Sequence, residues 1–194
     1  MSSSDKPTSI TLLERIRARD EDAWRRLLHL YTPLVQYWCA QWDVRGQDAD
    51  DICQEVFQAV AVGLDRFHHD QAGDTFRGWL RGITRNKLLD HFRRRQNEPE
   101  AQGGTNAQRR LHEIAAQEWP GDSEEALGGL YRRALQLVQS EFEGRTWEAF
   151  WRSAVDGHAP ADVAHDLGMT PAAVRKAKSR VLHRLREEVG ELLA

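Results

Sequence analysis

The chain has 194 residues, 40% of them hydrophobic and 29% charged, with 27 Lys and Arg against 30 Asp and Glu for a formal charge of −3. This supports one or two small folded domains and excludes wholesale disorder and a collagen-like chain. Its two cysteines, Cys39 and Cys53, are too few for a disulfide scaffold and lack metal-ligand spacing, so both read as reduced, helix-borne thiols.

No apolar run approaches the roughly 20 residues needed to cross a bilayer, and Met1 to Thr8 lacks the apolar stretch of a secretion signal. A cytoplasmic protein without membrane insertion is expected. Helical periodicity dominates and period-two alternation is rare, so the expected fold class is all-α. The first apolar series is Ile10, Leu12, Leu13 and Ile16. After Asp20, a cap candidate, comes Trp24, Leu27, Leu28, Tyr31, Leu34, Val35 and Trp38. These predict an antiparallel pair of helices, followed by a third over 48–64 and a fourth over 74–95, all in one bundle-like domain of residues 1–97. Residues 98–125 turn polar, with Pro99, Gly103, Gly104, Pro120 and Gly121, and predict a linker with room for a short helix near 107–117. A second helical domain over 126–194 follows, with helices near 126–142, 145–155, 160–167 and 171–192.

On the third helix Ile52, Cys53, Val56, Phe57 and Val60 form an apolar face, while Asp51, Gln54, Glu55 and Gln58 repeat at i, i+3, i+4, i+7 on the other. With Asp48 and Asp50 they make an acidic patch free of Lys or Arg along that segment, suited to a basic partner surface. The plain alternative is a solvated face whose acids favour a helix amino end.

The fourth helix is strongly basic. Arg77, Arg81 and Arg85 fall at i, i+4, i+8, beside an apolar face of Phe76, Trp79, Leu80 and Ile83. Cations for phosphates, aromatic surface for unstacked bases and an amide at Asn86 suit single-stranded nucleic acid, with His68, His69, Asp70 and Gln71 as polar partners in the preceding loop. Trp79 also reads as ordinary core. His68-His69-Asp70 lacks a third distant ligand, so no metal is expected.

The strongest signal lies in 158–186. Ala164 allows close helix packing, Gly168 can take a left-handed turn, Thr170 caps the next helix and Pro171 opens it. Val174, Ala177, Val181, Leu185 and Val189 form its buried stripe, leaving Arg175, Lys176, Lys178, Ser179, Arg180 and Arg184 free. This looks like a helix-turn-helix with a basic second helix fit for the major groove; the plain alternative, a purely structural helical hairpin, would need no such charge bias.

The order of these segments resembles an extracytoplasmic-function sigma factor of bacterial RNA polymerase, in the sigma-70 family. The likeness rests on DADDICQEVFQAV (48–60), FRGWLRGITRNKLLDHFRRR (76–95) and the helix-turn-helix. It implies a region 2-like domain, a linker and a region 4-like domain. By resemblance, Asp48, Asp51, Gln54, Glu55 and Phe57 would bind the beta-prime clamp coiled coil of core polymerase, with Asp50 in support. His68, His69, Arg77, Arg81, Arg85 and Asn86 would melt and read the minus-10 element. Thr170, Arg175, Lys176, Lys178, Ser179 and Arg180 would read the minus-35 element as duplex. The family also implies contact with the beta flap and control by an anti-sigma protein, with no cofactor and no catalytic residue.

Two departures stand out: Asp162-Val163-Ala164 replaces the frequent Glu-Ile-Ala, and Ala172-Ala173-Val174 replaces Gly-Thr-Val, which removes one phosphate contact. Trp147, Phe150 and Trp151 share a helix face and read as core, with an inhibitor contact as the other reading. Two further functions compete with the main one. A stand-alone dimeric helix-turn-helix regulator would bind palindromic duplex without polymerase. A hydrolase would need a nucleophile-base pair, a phosphate-cradling glycine loop or metal spacing, none of which the sequence offers.

Overall fold

The computed structural model describes residues 11–67, 75–96, 104–116, 119 and 121–193, and among these every regular element is helical. In chain order they are α1 Leu12–Arg17, α2 Glu21–Ala40, α3 Gln47–Gly63, α4 Phe76–Gln96, α5 Gly104–Ala116, α6 Glu124–Gln139, α7 Gly144–Ala154, α8 Pro160–Leu167 and α9 Pro171–Leu193, with a 3-10 turn at Leu64–Arg66 after α3.

Contacts gather them into two compact units. The first runs from Trp24 to Leu130 with Leu192 onward. Leu27, Leu30, Leu34, Val35 and Trp38 of α2, Ile52, Val56 and Val60 of α3, and Phe76, Leu80 and Leu88 of α4 are all buried. Each set follows the i, i+3, i+4 rows expected of a helix that hides one face. Phe76 holds the aromatic centre, edge-on to Tyr31 at 5.2 Å and to Phe67 at 5.7 Å. Cys39 and Cys53 lie buried on α2 and α3 as free thiols, and a hydrogen bond with Cys53 together with burial pushes the Cys39 thiol up. The segment expected to be a linker is built into this unit: α5 packs directly on α4, and Ile114 is fully buried.

The second unit joins α1 to the part of the chain from Tyr131 to Glu191. One apolar cluster combines Leu135 and Val138 of α6, Trp147 and Phe150 of α7 and Val181 of α9, with Trp151 packed against it. The aromatic face of α7 is therefore core. A neighbouring cluster of Ala149, Val163, Ala164, Val174 and Ala177 seats α8 and α9 on α7.

The short helix α1 is grouped with the residues from Tyr131 to Glu191, a grouping that its apolar series does not announce. This short helix starts with a capping box, in which Thr11 Oγ1 accepts from Glu14 N–H and the Glu14 carboxylate accepts from Thr11 N–H. It buries Leu12, Leu13 and Ile16. Arg15 donates to Asp20 Oδ2 at 2.8 and 2.7 Å, and its Nη1 lies 3.6 Å from the buried carboxylate of Glu188 on α9. Periodicity identifies a buried face without naming what covers it, so the partner could not be read from the apolar series.

Candidate functional site

The acidic side of α3 carries Asp51 and Gln54 exposed and Asp48 and Glu55 half-buried. The patch is not purely acidic, because α4 lies against it. Arg94 donates to Glu55 at 2.8 Å, Lys87 Nζ lies 3.5 Å from the same carboxylate, and Arg95 lies 3.4 Å from Asp48. Burial pushes the Glu55 carboxyl up, but Arg94 and Lys87 outweigh it and hold the group below its usual range. Asp50 accepts from Gln36 Nε2 at 2.9 Å. Asp51 has no ion pair among the described residues, which leaves its charge available to a partner.

Between the two helices lies a cleft of about 450 Å³ lined by Asp48, Asp51, Gln54, Glu55, His91 and Arg94, among others. His91 is buried, its Nε2 has no hydrogen-bond partner among the described residues, and desolvation lowers its pKa. Phe57, expected on the docking surface, is 6% exposed and meets Trp24 edge-on at 6.4 Å. It belongs to the apolar face that fixes α3 in place, so it supports the acidic face from beneath instead of presenting itself.

The arginine stripe of α4 is engaged rather than open. Arg81 Nη2 donates to Asp122 Oδ2 at 2.5 Å, Arg77 Nε lies 3.6 Å from that oxygen, and Trp38 Nε1 donates to Asp122 Oδ1 at 2.7 Å. Arg81 also stands over the Trp38 ring, 5.4 Å from its centroid. One turn on, Arg85 donates through Nε and Nη2 to the Ile114 carbonyl at 3.2 and 2.7 Å. The open face of α4 is instead Gly78, Gly82 and Asn86, again at i, i+4, i+8. Trp79 stacks on Phe67 at 4.9 Å, so its reading as core holds. His68 and His69 lie outside the described residues. Sequence reasoning missed Asp122, whose side chain is 4% exposed. Asp122 reads in the sequence as one of three acids around the start of α6, with Glu124 and Glu125, and Ser123 caps that helix by accepting from Ala126 N–H.

The helix-turn-helix forms as its residues require. Gly168 ends α8 at φ 61°, ψ 40°, a left-handed conformation in which any other residue would be strained. Thr170 Oγ1 accepts from Ala173 N–H at 3.1 Å and caps α9, so its hydroxyl serves the helix end. Val174, Ala177, Val181 and Val189 are buried. Arg175, Lys176, Lys178, Ser179 and Arg180 are exposed, and the four cations among them make no ion pair among the described residues. Arg184, expected to be free, is not: it donates to Glu141 at 2.6 and 3.0 Å and to Glu188 at 2.8 Å.

A helical unit with an exposed acidic edge, and a helix-turn-helix unit whose second helix carries four exposed cations in its amino-terminal half, are the features of a helical DNA-binding protein. Known proteins narrow the class. The sigma-70 region 2 family matches residues 27–98. RNA polymerase sigma factor CarQ of Myxococcus xanthus is 28% identical over 180 residues, covering 93% of this chain and 97% of CarQ. ECF RNA polymerase sigma factor SigD of Mycobacterium tuberculosis is 27% identical over 179 residues, covering 89% of this chain and 79% of SigD. ECF RNA polymerase sigma factor BldN of Streptomyces coelicolor is 26% identical over 183 residues, 94% of this chain and 66% of BldN. The chain thus carries a sigma-70 region 2 match and is similar along most of its length to extracytoplasmic-function sigma factors, which supports a factor of the sigma-70 family. Those relatives do not favour a stand-alone regulator.

Proposed function

We propose that this sigma factor directs transcription initiation through three surfaces and carries out no bond-making or bond-breaking of its own. The first is the exposed acidic edge of α3, where Asp51 and Gln54, flanked by Asp48 and Glu55, dock on the beta-prime clamp coiled coil of core RNA polymerase. The second is α4 with the loop before it, where Asn86 and the arginine stripe engage the minus-10 element as a separated strand. The third is the amino-terminal half of α9, where Arg175, Lys176, Lys178, Ser179 and Arg180 enter the major groove of the minus-35 element. Arg and Lys suit guanine edges there, and all of them suit phosphate.

The work done is strand separation driven by binding energy. Unstacking costs a few kcal/mol per step, and bases held by the loop and α4 offset it. The observation that carries the reading is the amino-terminal half of α9, where Arg175, Lys176, Lys178 and Arg180 stand exposed with no ion pair among the described residues. No helix of the described residues is long and apolar enough to cross a membrane. The chain acts in the cytoplasm, where the beta flap would receive the helix-turn-helix unit and an anti-sigma protein would control access.

Co-elution of the chain with purified core polymerase tests the docking surface. A complex formed by the unmodified chain and lost on Asp51→Arg supports it, and an undiminished complex contradicts it.

A further inference from the structure

Asp122 sits where two guanidinium groups and an indole N–H converge on one anionic group. Its carboxylate takes Trp38 Nε1 on one oxygen and Arg81, with Arg77 at 3.6 Å, on the other. Arg81 Nε is buried beside it with no hydrogen-bond partner among the described residues, so the seat holds more donor capacity than one carboxylate uses. Arg85, four residues further along the same face, is occupied by the carbonyl of Ile114 in the last turn of α5. The carboxy-terminal end of a helix carries partial negative charge on its carbonyls. Both occupants of the stripe are therefore anionic in character, and both come from the segment that joins α4 to α6. Charge-assisted, forked donation to oxygen is the chemistry by which arginine also holds phosphate.

We propose that the Asp122 carboxylate and the Ile114 carbonyl are intramolecular stand-ins for a nucleic-acid backbone: they occupy a phosphodiester-binding seat made by Trp38, Arg77, Arg81 and Arg85 and leave it when a single strand binds. The inference rests on the reading of α4 as a strand-binding helix and adds what holds that helix closed in the unbound chain. Strand binding then requires displacement of the segment, so the apparent affinity of the unbound chain is lowered by the fraction of molecules in which the seat is open. Two further contacts pin this part of the chain and must loosen when the seat opens, which exposes the last turn of α5. Arg110 of α5 pairs with Asp43, and Trp119 packs on Trp42 at 5.9 Å.

The test uses the full chain without polymerase and a fluorescein-labelled, mixed-sequence single-stranded oligodeoxynucleotide, read by anisotropy at low salt. Asp122→Asn keeps the size of the side chain and an acceptor for Trp38 but removes the charge. It is expected to bind roughly ten-fold tighter, as an opened seat requires. Glu21→Gln, an exposed site with the same change in charge, controls for net charge. The gain from Asp122→Asn should vanish when Arg77→Ala and Arg81→Ala are added. Affinity no higher than that of Glu21→Gln overturns the proposal, and so does a gain that survives loss of the two arginines. Hydrogen exchange on the unmodified chain removes dependence on a folded variant. Saturating oligonucleotide should accelerate exchange of the amides at 111–116, and unchanged exchange overturns the proposal. Promoter-directed transcription by the same unmodified chain with core polymerase is scored separately, so failure of the sigma reading is distinguishable from failure of the seat.

Discussion

Glu188 of α9 keeps its carboxylate 2% exposed and accepts from Arg184 Nη2, one turn earlier on the same helix, at 2.8 Å. Arg184 in turn grips Glu141 through two hydrogen bonds, and Arg15 of α1 lies 3.6 Å from Glu188. One buried acid thus ties the long last helix to α1 and to the turn after α6. The hydrogen bond to Glu141 first, and that to Glu188 next, raise the Arg184 pKa against burial. Removing Arg184 takes charged hydrogen bonds from Glu188 and Glu141, while Arg15 stays beside Glu188. Arg184→Ala should therefore destabilise the chain by about 2 kcal/mol. Urea unfolding measures it, and a change below the error of that method would show that the network carries no net stability.

Two α3 substitutions should separate docking from folding. Asp51 is exposed and unpaired, so Asp51→Arg should leave the unfolding midpoint unchanged while core-polymerase binding is lost. Phe57 is 6% exposed against Trp24, and Phe57→Ala should cost on the order of 3 kcal/mol of stability. A stable Phe57→Ala protein that fails only to bind polymerase would restore Phe57 to the interface.

His91 gives the α3–α4 packing a pH dependence of known sign. Desolvation lowers its pKa, with Arg95 and Arg94 adding to that and Asp48 and Glu55 opposing it. The unfolded chain therefore binds the proton more readily than the folded one. Stability from this group is complete above the ordinary histidine value near 6.5 and is lost as pH falls from there toward the depressed folded value. Melting temperature between pH 7.5 and 5.5 should fall further in the unmodified chain than in His91→Gln. Parallel curves would mean that His91 does not titrate with folding.

On α9, Arg175→Ala should weaken minus-35 duplex binding by roughly 1 to 3 kcal/mol if the side chain reads a base, with relaxed preference at one position. A uniform loss on all sequences would mark a phosphate contact. Gly168→Ala tests the turn that presents the helix: at φ 61° it should cost about 1 kcal/mol of stability.

Much of this was legible in the sequence because short-range chemistry sets it. The apolar rows of α2, α3 and α4, the Gly168 turn and the Thr170 cap each follow from residues within a few positions of one another. What was not legible depends on long-range pairing. Asp122 meets Trp38 across 84 positions, Arg184 meets Glu141 across 43, and Arg85 finds a backbone carbonyl that no side-chain pattern marks. An i, i+4, i+8 arginine series looks the same whether solvent, nucleic acid or the chain's own segment lies over it. The helix order and the acidic face of α3 could therefore be read early, while the occupancy of the α4 stripe could not.

The most direct test of the central claim is transcription by purified core polymerase on a randomised promoter library, with and without the chain, with the starts sequenced. The expected result is a new set of starts sharing two spaced upstream elements, with the upstream one degraded by Arg175→Ala and the whole set lost with Asp51→Arg. Folded, polymerase-bound protein that yields no new starts would contradict it.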